Sequence, residues 1–306
     1  MNVPPSLEGR RALVTGASGF IGSRLCNRLL ETGAEVYAAS RSQRESESVR
    51  WRASDLCDAE ATLGLVRETK PDLIFHLASH VSGSRGLDAV LPTLSANLVS
   101  TVNLLLAAAE VGCGRVVLAG SLEEPDSEDR QPVPVSPYAA AKFAAGAYGR
   151  MFHSLHGVPV VMLRIFMVYG PGQRDETKLV PYVITTLLRG ESPELSSGTR
   201  PVDWVYVDDV VEALIASTAA KQAVGETLDV GSGTLTPIRN VVEEIVQLVR
   251  PSAEPRFGAL PDRANERIRV AQIERTNAVL GWAPRTPLSL GLAATVDWYA
   301  AREDAA

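Results

Sequence analysis

The 306 residues carry 30 Lys and Arg against 36 Asp and Glu, a formal charge of −6, with 45% hydrophobic and 22% charged residues. That is an ordinary globular composition, sufficient for one large α/β domain or for a domain with a smaller lobe, and it offers no basic field to nucleic acid or a membrane surface. Cys26, Cys57 and Cys113 fit no disulfide or metal-ligand spacing and read as reduced thiols of a cytoplasmic protein, so no metal site is expected. Met1 to Arg11 holds Pro4, Pro5 and Glu8 and does not read as a signal peptide, and no run of about 18 apolar residues predicts a transmembrane helix.

In chain order, Arg11–Thr15 reads as a buried strand and Phe20–Glu31 as an apolar helix. Glu35–Ala39 and Leu73–Leu77 read as strands, and Leu94–Val111 as a long helix with apolar residues three and four apart. Val116–Ala119 predicts a strand, Pro137–His156 a helix and Val158–Arg164 a strand. This alternation, with strands apolar on both faces, predicts an α/β fold: a Rossmann-type doubly wound parallel sheet with a smaller C-terminal lobe. After residue 170 Pro and Gly punctuate a looser pattern, with a strand at Asp203–Val207, a helix from about Asp209 and a strand at Thr227–Val230. The large domain is therefore assigned to 1–170 with returning segments at about 203–232, and the lobe mainly to 171–202 and 233–306. The last residues, 302–306, read as a frayed tail.

Thr15-Gly16-Ala17-Ser18-Gly19-Phe20-Ile21-Gly22 sits where the first strand meets the first helix. Gly16, Gly19 and Gly22 there suit a sharp turn, close approach of main chain to a pyrophosphate, and tight packing of helix on strand. The second strand ends without a carboxylate at Ser40, and Arg41 and Arg44 follow. A guanidinium suits a 2′-phosphate, so NADP(H) is favoured over NAD(H); the plainer alternative is that both arginines are solvated charges. Asp55 either contacts the adenine amino group or caps the next helix.

Ser136-Pro137 starts the helix carrying Tyr138 and Lys142, which lie one turn apart on one face. An ammonium beside a phenol lowers its pKa, which would fit Tyr138 for proton transfer while a nicotinamide exchanges hydride. Ser121 follows the strand Val116–Ala119, at the sheet edge where ligands bind, and is expected to orient a substrate oxygen beside Tyr138. Glu123 and Glu124 come next, either as an acid or base or as solvated loop carboxylates. His80 is a candidate wall residue facing the substrate.

Taken together these segments resemble the extended short-chain dehydrogenases/reductases, specifically the nucleotide-sugar epimerases, dehydratases and 4-ketoreductases, over nearly the whole chain. The resemblance is carried by residues 15–22, His76-Leu77-Ala78-Ser79, the run from Asn97 to Leu105, Ser121, Tyr138 and Lys142, Leu163 to Pro171, Asp203 to Val210, and Leu280-Gly281-Trp282-Ala283-Pro284. It implies cofactor contacts at Gly16, Ser18, Gly19, Phe20, Ile21, Gly22, Ser40, Arg41, Arg44, Asp55, Leu56, Leu77, Ala78, Ser79, Asn97, Tyr138 and Lys142. It implies a catalytic set of Ser121, Tyr138 and Lys142, and a nucleotide-diphospho-sugar held by His80, Glu123, Met167, Lys178, Leu179, Arg200 and Arg263. It also implies a homodimer built on the helices of residues 97–111 and 138–156.

The chain departs from the family pattern at Met167, where an Asn is usual, and at Val202, where an Arg usually precedes the Asp and which leaves Arg200 to reach from two residues earlier. Ala271-Gln272 replaces the usual Ala-Asp, and the 17-residue step from Ser121 to Tyr138 is short. Ser121-Leu122-Glu123 lacks the Asp of the 4,6-dehydratases, whereas Gly120 to Glu124 is similar to the Gly-Ser-x-Glu-Glu of 4-keto-6-deoxy-sugar reductases. The expectation is thus NADPH-dependent reduction of a C4 ketone of a nucleotide-diphospho-4-keto-6-deoxy-hexose. NAD-dependent 4-epimerisation is the alternative, then 4,6-dehydration, then a non-catalytic dinucleotide sensor.

Overall fold

Runs such as residues 160–165 become central strands because both faces of a helix-covered parallel sheet are dry, so no polar alternation survives in them. The computed structural model describes residues 6–125, 131–263 and 266–303; the N-terminal Pro4 and Pro5, and residues 304–306 of the expected tail, lie outside them. The chain runs β1 (Arg11–Thr15), α1 (Phe20–Glu31), β2 (Glu35–Ser40), β3 (Arg50–Ala53), α2 (Ala59–Thr69) and β4 (Leu73–His76). Then come α3 (Val90–Leu94), α4 (Ser100–Val111), β5 (Arg115–Ser121), α5 (Pro137–His156), β6 (Val160–Ile165), β7 (Met167–Tyr169), α6 (Leu179–Leu188) and β8 (Glu194–Leu195). The rest is β9 (Pro201–Tyr206), α7 (Val207–Ala219), β10 (Thr227–Val230), β11 (Leu235–Pro237), α8 (Ile238–Val249), β12 (Arg256–Phe257), α9 (Ile273–Leu280) and α10 (Leu288–Glu303).

Two compact units emerge. The first comprises the chain up to Ile165 with Val211–Asp229 and Glu274–Trp282; the second comprises Phe166–Val210, Val230–Ile273 and the chain from Ala283. The first unit is built on a seven-stranded sheet in the order β10-β6-β5-β4-β1-β2-β3, a Rossmann-type arrangement with β1 and β4 at its centre. Its core joins Leu13, Ile74, Val116 and Leu118 of the strands to Leu65, Leu104, Leu105 and Phe152 of the helices. Arg115 reaches across to cap the C-terminal end of α7, donating to Ser217 O at 3.0 Å and Ala220 O at 2.9 Å.

The expected helix at Leu94–Val111 is not one regular helix. α3 and α4 are joined by a π turn at Ser95–Val99, the kind of irregularity that serves to re-aim one side chain. Here that side chain is Asn97, which is 1% exposed. By length and composition the whole stretch Leu87–Val111 would suffice to cross a membrane. It is instead a core element of this unit: its polar Asn97, Thr101 and Asn103 are buried, and Asn103 Nδ2 donates to Leu56 O at 2.9 Å.

The second unit carries a three-stranded sheet, β11-β9-β7, in which β9 pairs parallel with β7 and antiparallel with β11. Its core gathers Tyr169, Ile184, Leu187, Trp204, Val241, Ile245 and Leu292. Asp203, 1% exposed, ties this unit together: its carboxylate accepts the main-chain N–H groups of Ser232 at 2.6 Å, Gly233 at 3.0 Å and Ala271 at 2.9 Å.

Candidate active site

The glycine-rich turn has no room for side chains. Gly16 has φ +68°, and a Cβ there would lie 2.7 Å from Ala78 N and from Leu77 C; a Cβ on Gly22 would lie 2.2 Å from Gly16 O. Gly19 caps α1 without a side-chain hydrogen bond, and the first turn contains no acid, so its N–H groups are left for an anion. Ser18 is exposed at the turn, and Phe20 and Ile21 are half-buried at the helix start. A turn closed to a Cβ at Gly16 and Gly22, ending on a helix N-terminus free of carboxylates, fits a dinucleotide pyrophosphate.

At the ends of β2 and β3 the fit to a 2′-phosphate is looser. Ser40 Oγ donates to Ser42 O at 2.5 Å, and the Arg44 guanidinium stands 5.5 Å from the Trp51 ring centroid. Arg41 is exposed. Asp55 accepts Cys57 N at 3.0 Å, closing a turn, and the cap of α2 is Asp58, whose side chain accepts Ala61 N. Leu56 is buried, 8% exposed.

Beyond β4, a buried polar chain fixes the loop of Leu77, Ala78, Ser79 and His80. Thr15 Oγ1 is 2.8 Å from His76 Nδ1 and accepts Ala78 N at 3.2 Å; His76 Nε2 is 3.0 Å from Thr101 Oγ1. Asn97 Oδ1 accepts His80 N at 2.6 Å and Ser79 Oγ at 3.0 Å, while its Nδ2 donates to His80 O at 3.1 Å. Asn97 therefore clamps the loop. The His80 side chain is exposed.

Ser121, Tyr138 and Lys142 come together at the ends of β5 and α5. The Ser136 side chain caps α5 by accepting Ala139 N at 3.1 Å, and Pro137 starts the helix. Tyr138 and Lys142 are 9% and 6% exposed. Burial pushes the Tyr138 phenol well above its usual range; hydrogen bonding with Ser121 and Ser79 works against that, and the charges of Glu123 and Glu124 add to it. The sequence predicts that Lys142 lowers the phenol's pKa. In the fold the ammonium stands 5.9 Å from the ring centroid and donates instead to Ala119 O at 2.8 Å. Its own pKa is pushed down to about 8 by burial, with Glu124 opposing. In a dry site both partners lean to the neutral form, because desolvation outweighs a charge not in direct contact.

The two glutamates divide. Glu123 is half-buried and accepts Ser136 Oγ at 3.2 Å, while its N–H donates to Ser121 Oγ at 3.2 Å. Glu124, read from sequence as solvated or as an acid or base, is 3% exposed and accepts Ser121 N at 2.6 Å. The small Gly120 ahead of Ser121 was the available signal for its burial, since a Cβ there would lie 2.7 Å from Glu124 Oε1.

Within the second unit, Met167 lies on β7 and packs against that unit's core. Lys178 precedes α6, 3.7 Å from Asp175, and Leu179 opens the helix. Arg200 Nε lies 2.8 Å from Glu266 Oε2, while Arg263 is 4.0 Å from Glu266 and 65% exposed. Arg200 and Arg263 thus converge on one carboxylate.

The sequence profile of the NAD dependent epimerase/dehydratase family matches residues 12–231. The chain is 34% identical to a UDP-glucose 4-epimerase of Mycolicibacterium smegmatis, covering 94% of this chain and 98% of that one. It is 27% identical to a dTDP-D-glucose 4,6-dehydratase of Mus musculus, covering 97% and 90%. The solved structure of MoeE5 in complex with UDP-glucuronic acid and NAD is similar at 32% identity and a TM-score of 0.84, covering 96% of this chain and 99% of that one.

Proposed function

Because this chain belongs to the NAD-dependent epimerase/dehydratase family, whose members include extended short-chain dehydrogenases/reductases acting on nucleotide sugars, we propose that it is an NAD-dependent 4-epimerase of a nucleoside-diphosphate hexose. One observation favours this reading over dehydration. Among the described residues, the two carboxylates that act on Tyr138 are both engaged, Glu124 on Ser121 N and Glu123 on the hydroxyl that caps α5. That leaves the phenol as the proton-transfer group. A single acid-base group suits chemistry confined to one carbon, whereas dehydration needs further acid-base work at neighbouring carbons.

The residues proposed to hold the dinucleotide are the Gly16–Gly22 turn at the pyrophosphate, the Leu77–Ser79 loop, and Lys142. When bound, the nicotinamide supplies the acceptor and donor of hydride. Acting as the phenolate, which the positive charge of a bound nicotinamide and of Lys142 would favour over the buried phenol, Tyr138 would take the proton from the sugar C4 hydroxyl and return it, with Ser121 orienting that oxygen. Burial keeps water from competing for the proton. His80, Glu123, Met167, Lys178, Leu179, Arg200 and Arg263 are proposed for the substrate, the two arginines for its diphosphate. The protein is proposed to be cytoplasmic and to pair as a homodimer through α4 and α5, which expose Leu106 at 52% and Leu155 at 70%.

The sequence expectation of an NADPH-dependent 4-ketoreductase stays as the second reading, supported by the missing carboxylate at Ser40 and the exposed Arg41. NAD takes precedence because the similar MoeE5 structure was solved with NAD. The test is to assay the purified protein for retained cofactor and then follow UDP-glucose and UDP-glucuronic acid by proton NMR. Retained NAD and appearance of the 4-epimer support the proposal. Stoichiometric NADPH oxidation by a 4-keto-sugar nucleotide, with no epimer formed, would replace it with the second reading.

A further inference from the structure

We propose that Glu124 is a positioning residue of the Tyr138–Lys142 pair: its buried carboxylate anchors the main chain at Ser121 and is the counter-charge of the Lys142 ammonium. The inference rests on Tyr138 and Lys142 being the reacting pair, and it holds whichever sugar nucleotide the protein accepts.

Three geometric facts converge. Glu124 accepts Ser121 N at 2.6 Å and donates its own N–H to Ser121 O at 3.1 Å, a reciprocal clasp that fixes the turn leaving β5. The carboxylate lies against Gly120, where a Cβ would stand 2.7 Å from Glu124 Oε1. Gly120 is flanked by Ala119, whose carbonyl accepts Lys142 Nζ at 2.8 Å, and by Ser121, whose hydroxyl hydrogen-bonds Tyr138. The carboxylate therefore lies beside Gly120, between the two strand residues that the Lys142 and Tyr138 side chains address. A buried carboxylate costs several kcal/mol unless it is compensated, so a role in fixing a mere surface turn would not account for its burial.

The charge matters because Lys142 is otherwise badly placed to stay protonated. Burial disfavours its cation, and Glu124 is the charge that opposes the shift. The other groups near Lys142 are His76 on β4, kept neutral by burial, and Tyr138 on the same helix, on which Glu123 acts. Removing the Glu124 charge should leave Lys142 deprotonating at lower pH.

The chain has four lysines, Lys70, Lys142, Lys178 and Lys221, so the Lys142 side chain can be followed by NMR in protein with 13C-labelled lysine and assigned by its loss in Lys142→Arg. Glu124→Gln keeps the shape and an acceptor for Ser121 N but removes the charge. Gly120→Ala leaves Glu124 in place and displaces its carboxylate. In both variants the Lys142 titration midpoint is expected to fall by about one pH unit, with the other three lysines unmoved. Glu124→Asp is expected to recover at least part of the shift. No substrate is needed, so failure of the epimerase reading leaves this test intact. For kinetics, kcat should fall about twofold at pH 7, where a midpoint lowered by about one unit from about 8 leaves half of the ammonium, while KM stays within about twofold. A wild-type Lys142 midpoint in folded Glu124→Gln overturns the proposal, even if kcat falls, because that is what a purely structural clasp would give.

Discussion

Replacing Gly22 with alanine should weaken both the fold and the cofactor site, although the same change in an ordinary helix stabilises. Alanine gains about 1 kcal/mol over glycine in a helix interior through backbone entropy. At Gly22 the new methyl would stand 2.2 Å from Gly16 O, 2.8 Å from Gly16 C and 2.9 Å from the Cα of Ala17. All three are main chain, so no side chain can swing aside, and ordinary separation requires α1 and the turn to part by about 1 Å. Overpacking of that kind costs about 1–3 kcal/mol, which outweighs the propensity gain at most of its range. Because the turn shapes the proposed pyrophosphate cradle, NAD affinity is expected to fall about tenfold or more, and Tm by roughly 2–6 °C for a domain of this size. Gly64, on the exposed face of α2 with nothing within 4 Å of where a Cβ would stand, is the matched control. Gly64→Ala should gain about 0.5–1 kcal/mol and leave NAD binding untouched. Differential scanning calorimetry with and without NAD, joined to isothermal titration, measures both quantities. A Gly22→Ala protein as stable as Gly64→Ala, with wild-type NAD affinity, would refute the reasoning.

Tyr138→Phe should lower kcat by roughly 10²–10⁴ while leaving NAD binding within about twofold, read by epimer formation and titration; a variant near wild-type activity removes the phenol from the mechanism. Burial, with the Lys142 charge second, pushes the His76 imidazole down to about 3, below its usual 6.5. The unfolded chain then takes up a proton that the folded chain refuses, so the stability tied to this group is full above about pH 6.5 and is lost towards pH 3, with a limiting slope of about 1.4 kcal/mol per unit. Urea melts at several pH values should show that slope flattened in His76→Gln, and an unchanged slope would assign it elsewhere. Asp203→Ala strands three N–H groups inside the second unit and should cost about 3–5 kcal/mol or prevent folding; a loss under about 1 kcal/mol in urea would mean water replaces the carboxylate.

Local signals were legible where the chain alone sets the geometry. The strands and helices β1, α1, β2, β4, β5 and α5, the Gly16–Gly22 turn, and the Ser136-Pro137 start that puts Tyr138 and Lys142 one turn apart all follow from spacing, capping and the lack of room for a Cβ, whereas β3 (Arg50–Ala53) and α2 (Ala59–Thr69) carry no clear period. Less legible was anything decided by partners distant in sequence. Leu94–Val111 shows a helical period, but the π turn at Ser95–Val99 exists because Asn97 is drawn in to Ser79 and His80, 17 to 18 residues earlier. Arg200 and Arg263 read from sequence as two separate substrate contacts, and only folding brings Arg200 onto Glu266, three residues after Arg263.

The sequence by itself determined the alternating α/β order, the family and which residues are proposed to react, because these reside in short segments whose spacing is also their geometry. Only the tertiary structure decided how those groups are charged. Glu123 and Glu124 are adjacent and chemically identical, yet one is half-buried at a helix cap and the other is sealed against Gly120 beside Ser121. Lys142 is one turn from Tyr138, yet it bonds to Ala119 and leaves the phenol governed by burial. Ionisation depends on desolvation and on charges gathered from several elements, and neither quantity is defined until the chain has closed around the site.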